Sequence, residues 1–157
     1  MLAIHITPDM RRKLETALTE KKQCRLAAMS FSATAFLALN LCAEFRRTVV
    51  VVSDSMHSLN ELRRNLLALA GTAFAGVYPE HILYYPAWES LPGETPRGKV
   101  DLSRGSEAKT EVVGERLQTL ERLIALPAPV VIATCVQALM QMALAPATLK
   151  ADRKSVV

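Results

Sequence analysis

Residues 48–69 read TVVVVSDSMHSLNELRRNLLAL, and this stretch decides the fold. Val49 to Val52 is a run of β-branched residues, whose crowded Cβ atoms suit a pleated strand better than a helix. No polar residue alternates with them, so the strand is expected to be buried on both faces, as strands of parallel sheets are. Ser53-Asp54-Ser55 then supplies a turn and a helix cap. Leu59, Leu62, Leu66 and Leu69 follow at helical spacing, and Gly71 is placed to end the helix. A buried strand handing over to an amphipathic helix is half of a parallel βαβ unit.

The pattern repeats outward in both directions. Upstream, Thr7 and Pro8 open a helix that runs to about Glu20, with Leu14 and Leu18 on one face. Cys24 to Met29 is short and apolar and reads as a buried strand, and Ala33 to Phe45 reads as a mostly buried helix. Downstream, His81 to Tyr85 reads as a strand stopped by Pro86, and Pro86 to Lys109 as a long irregular loop. Thr110 to Leu126 returns to helix, with Val113, Leu117, Leu120 and Leu123 on one stripe. Pro129 to Thr134 is a further buried strand, and Val136 to Met142 a short helix. The order αβαβαβαβα defines an α/β fold, a parallel sheet with helices on both faces. Residues 1–23 form a lead-in helix, 24–147 the domain, and 148–157 the start of whatever follows.

Composition agrees with one ordinary domain. Half of the 157 residues are hydrophobic and 22% are charged, which excludes intrinsic disorder. Nineteen basic against fifteen acidic residues leave only +4, too little to argue for a dedicated nucleic-acid binder. Cys24, Cys42 and Cys135 lie in apolar runs without CxxC spacing and are expected to be small buried hydrophobes. Leu26 to Ala43 lacks charge, but Ser30, Ser32, Thr34 and Asn40 interrupt it, so it is no membrane span. A cytoplasmic protein with no membrane partner is the expectation.

Chemistry in an open parallel sheet belongs at the carboxyl ends of the strands, near the first strand-to-helix turn. Here that turn is Ser30, Phe31, Ser32, Ala33, Thr34 and Ala35. A phosphate loop needs glycines for backbone approach, a lysine for the phosphates and a hydroxyl for magnesium. This turn has neither glycine nor lysine, and Phe31 adds bulk. Ser30 and Ser32 retain some capacity to assist an anion at the helix N-terminus. His5, His57 and His81 are scattered with no ligand spacing, and Asp54 reads as part of a cap, so no catalytic or metal residue is assigned.

One segment is more specific. A strand ending in Tyr84-Tyr85 leads into Pro86-Ala87-Trp88-Glu89-Ser90-Leu91-Pro92, followed after a polar loop by Gly114-Glu115-Arg116-Leu117. Val130 to Thr134 and Gln137-Ala138-Leu139-Met140-Gln141 complete the pattern. Together these resemble the UvrB-like N-terminal module of the bacterial transcription-repair coupling factor (Mfd) family, over roughly residues 24–145. The resemblance implies a RecA-like, P-loop-type domain with a degenerate phosphate loop. Ala33-Thr34-Ala35 stands where UvrB carries Gly-Lys-Thr, which puts ATP binding and ATPase activity by this chain in doubt. The resemblance also implies that the chain is an N-terminal fragment. UvrA, RNA polymerase and double-stranded DNA would be partners through domains lying further along, and the ATP- and magnesium-using motor would lie there too.

Two other readings stay open beside it. One is a divergent nucleotide- or phosphate-using enzyme with an anion site at Ser30 and Ser32. The other is a nucleic-acid module using Arg11, Arg12, Lys13, Lys21, Lys22 and Arg25. Trp88, the sole tryptophan, serves either core packing or a protein contact. Glu89 is expected to pair with Arg116 or with the helix after Thr110, and Gly93 to Lys109 to be poorly packed, with only Val100 and Leu102 as apolar anchors.

Overall fold

A computed structural model describes residues 6–20, 23–70, 77–88, 102–125, 129–141 and 143, with the backbone alone for 102–110. Helix α1 spans Pro8–Thr19, α2 Phe31–Phe45, α3 Met56–Leu69, α4 Leu102–Ala125 and α5 Val136–Met140. Strands β1 (Val49–Ser53), β2 (Ile82–Tyr85) and β3 (Val131–Cys135) form a parallel sheet in the order β1-β3-β2. The class is α/β.

Local chemistry sets the helix starts. Thr7 Oγ1 accepts from the Met10 N–H at 3.3 Å, with Pro8 in the first turn where its missing N–H costs nothing. Ser30 and Ser55 cap α2 and α3 in the same way, each hydroxyl accepting at 3.2 Å from the N–H three residues on. Leu59, Leu62 and Leu66 of α3 are all buried, each adding about 1.5–3 kcal/mol of apolar burial. They meet Ala35, Ala38, Leu39 and Cys42 of α2, whose small residues let the two helices lie close.

Register divides the strand side chains between two faces. Val49 and Val51 pair with Val131 and Ala133, which also pair with Ile82 and Tyr84. This face packs against α2 and α3: Tyr84 donates to Asn60 Oδ1 at 2.8 Å, and the Arg63 guanidinium lies over its ring. The opposite face carries Val50, Val52, Ile132, Thr134, Leu83 and Tyr85. Helix α4 packs against β2 from the side that Tyr85 faces, while Val50 and Val52 stay 51% and 45% exposed. Coverage of both faces therefore holds at β3 and β2 but not at β1.

Further expectations change. Cys24 to Met29 is not a strand: it has no regular structure, Cys24 is exposed, and Ala28 sits at φ 54°. An apolar run becomes a strand only when a neighbour takes its N–H and C=O groups, and this run pairs with none among the described residues. The sheet thus has three described strands where four are expected, and Cys24 is no core residue, unlike Cys42 and Cys135. Helix α4 begins at Leu102, so residues 102–109 are helical and not part of an irregular loop. Helix α2 begins at Phe31, two residues before the expected start, because Ser30 and not the following serine is the cap. Ala70 is the C-cap of α3; Gly71 and residues 89–101, over which a loop is expected, lie outside the described residues. No helix among the described residues is long and apolar enough to cross a membrane.

Candidate functional site

The turn at Ser30–Ala35 is built from its own hydrogen bonds. Ser30 Oγ is taken by the Ala33 N–H, and the Ser30 carbonyl accepts from the Thr34 N–H at 2.9 Å and the Thr34 hydroxyl at 3.0 Å. Ser32 donates to Asn65 Oδ1 at 2.6 Å, tying α2 to α3. Phe31 is 42% exposed, while Ala35 is wholly buried in the core. The hydroxyls that an anion would use are committed to capping and to Asn65, and the Ala35 methyl faces apolar neighbours.

The segment after β2 is different. Thr119 of α4 donates to the Tyr84 carbonyl, and Thr134 of β3 donates to the Tyr85 carbonyl at 2.8 Å. Arg116 Nη1 donates to the Pro86 carbonyl at 2.8 Å, and the Ala87 N–H reaches Met56 Sδ at 3.4 Å. Gln141 then grips Trp88 at two points: its Oε1 accepts from Trp88 N at 2.8 Å, and its Nε2 donates to Trp88 O at 3.1 Å. Five successive residues leaving the sheet are thereby pinned by side chains of α3, α4, β3 and the segment after α5. Buried backbone polar groups must find partners, and here they find them in side chains.

Arg116 is the centre of this cluster. It is only 4% exposed; its Nη2 donates to the Tyr85 hydroxyl at 2.6 Å, and its Nη1 also reaches Gln141 Oε1 at 3.0 Å. The guanidinium lies 4.1 Å from the Tyr85 ring centroid and 5.0 Å from that of Trp88. A planar cation that donates in its own plane can stack on aromatic faces at the same time, which lysine cannot do. Burial pushes the Arg116 pKa down and the Tyr85 hydroxyl opposes this. The group remains a cation at neutral pH with no proton to exchange. The cluster locks the segment leaving β2 in place.

The residues singled out in the sequence fall into three sets. Trp88 and Arg116 come together, with Gln141 between them. Glu115 points away from them, to Arg63 of α3 at 3.5 Å, and Leu117 is half-buried on the same helix. Glu89, Leu91 and Pro92 lie outside the described residues, so the Glu89–Arg116 pairing does too. Thr119, Thr134 and Met56 were not anticipated. A threonine one turn after Arg116 on an otherwise leucine-rich stripe is the one signal that pointed to the first of them.

Elsewhere the polar groups are structural. Asp54 is exposed, and hydrogen bonds from Ser58 and then Ser55 hold its carboxyl below the usual carboxylate range. His81 Nδ1 accepts from the Tyr78 N–H at 3.1 Å. No cluster of three or more His, Cys, Asp or Glu suited to a metal occurs among the described residues. No protein-family model, no curated protein and no solved structure matches this chain.

Proposed function

We propose that this chain is a UvrB-like N-terminal module of a transcription-repair coupling factor, a scaffold and regulatory domain that does not hydrolyse ATP. The observation that carries the reading is the convergence of Trp88, Arg116 and Gln141, which belong to three separate segments of the resemblance, in one locked cluster. The committed hydroxyls of Ser30 and Ser32 and the buried methyl of Ala35 favour it over a phosphate-using enzyme. On this reading the fold is RecA-like with a vestigial phosphate loop. The parent protein is a cytoplasmic, ATP-dependent translocase on double-stranded DNA that removes stalled RNA polymerase and recruits UvrA. Those activities belong to domains beyond this chain, and this module contributes intramolecular contacts.

An ATP titration and a turnover assay on the purified chain test the reading. No binding at millimolar ATP with magnesium is expected. Tight binding or turnover, lowered by Ser32→Ala, would transfer the case to the enzyme reading. Genomic sequence beyond Val157 supplies an independent test: a reading frame continuing into helicase motifs supports the proposal, and one without them overturns it.

A further inference from the structure

A second feature owes nothing to the family reading. Between α1 and residues 23–25 lies an open cleft of about 410 Å³, lined by Arg12, Lys13, Thr16, Ala17, Gln23, Cys24 and Arg25. Three lining side chains are cations and none is an acid. Asp9, outside the lining, pairs with Arg12 at 3.0 Å and with Lys13 at 2.8 Å. All three side chains of that group are more than half exposed, and such pairs are weak and yield readily to another anion. Arg25 and Gln23 make no hydrogen bond or ion pair with any described residue, so their donors are open to a ligand.

We propose that this cleft binds the phosphodiester backbone of nucleic acid. Arg12 and Lys13 stand on α1 and share the exposed Asp9 carboxylate, whereas Arg25 belongs to the segment across the cleft, so the three cations do not gather at one point. Charges spread along the two sides of a cleft instead match an anion that repeats along a chain. The lining lacks the large apolar side chains that seat a protein in a lipid surface. The three cations meet the phosphates as charges, so binding falls with salt.

Cys24 makes the test direct. It lines the cleft and is exposed, whereas Cys42 and Cys135 are buried, so a neutral maleimide labels Cys24 selectively. A short DNA duplex in low salt is expected to slow labelling of the full chain several-fold. The affinity should fall with salt at a log–log slope approaching about −2.7, roughly −0.9 for each of three phosphates neutralised. R12Q/K13Q/R25Q should abolish protection while circular dichroism stays unchanged, and R25Q alone, outside any helix, should lower the slope by about 0.9. Absence of protection by duplex overturns the proposal. So does equal protection by inorganic phosphate, polyglutamate or phosphatidylserine vesicles, and so does protection that survives in the triple variant.

Discussion

The turn at Ser30–Ala35 and the cluster around Arg116 both place polar side chains at the end of an apolar element, and they use them differently. In the turn, Ser30 and Thr34 bond within one helical turn of themselves, and only Ser32 reaches out, to Asn65. The bonds of Arg116 to Tyr85, Pro86 and Gln141, and those of Gln141 to Trp88, join residues 25 or more apart in sequence. A local cap forms wherever its helix forms. A buried cation held by three acceptors and two rings exists only in the folded chain. Loss of a cap therefore weakens one helix end, whereas loss of the cation leaves several buried groups unpaired at once.

Arg116→Ala should have the largest effect. It leaves the Pro86 carbonyl, the Tyr85 hydroxyl and Gln141 Oε1 short of a donor, and about 3 kcal/mol or more of stability should be lost in urea unfolding. Arg116→Lys should recover little of this, because an ammonium cannot donate to those acceptors and stack on both rings. If Arg116→Ala matches wild type in stability and protease sensitivity, the lock does not exist. Gln141→Ala comes next, at about 1–2 kcal/mol, since it frees both backbone groups of Trp88. Its sharper readout is limited proteolysis, with new cleavage expected near Trp88.

Ser30→Ala should cost about 1 kcal/mol, the ordinary value of an N-cap, and Ser30→Asp should restore it. A much larger loss would show that the turn does more than cap α2. Ser32→Ala removes one exposed bond to Asn65 and should stay within about 0.5 kcal/mol. The last effect is read on the alkaline side, apart from the small constant loss of the Tyr84–Asn60 bond. Burial holds the Tyr84 phenol above its ordinary value of 10.0, with the Glu115 charge adding to the shift and Arg63 opposing it. A folded pKa above the unfolded one means this stability is full below the unfolded value and is lost as pH rises through the folded one. Tyr84→Phe should therefore flatten the alkaline limb of the stability profile, and a limb that is unchanged would remove the tyrosine from the account.

Most of the α/β character was legible. The valine run, the leucine spacing of α3 and the Ser55 cap are local signals, and each appears where expected. Cys24 to Met29 has the same apolar look as β3, yet only β3 is a strand, because β3 has β1 and β2 on its two sides. Residues 102–109 look like loop because Gly105 and mixed charges interrupt any apolar period, yet the backbone there continues α4. The sequence named Trp88 and Arg116 as notable, and offered Glu89 as the partner of the arginine.

By itself, then, the sequence determined the valine strand β1, the leucine helix α3 with its Ser55 cap, and the absence of a glycine–lysine phosphate loop. These rest on interactions among near neighbours or on which side chains exist at all. Tertiary structure alone decided the order β1-β3-β2, the exposed valines of β1, and the partners of Arg116. Strand order and long-range hydrogen bonds depend on which surfaces meet in space, and no short-range pattern encodes the identity of a partner 53 residues away, as Gln141 is from Trp88.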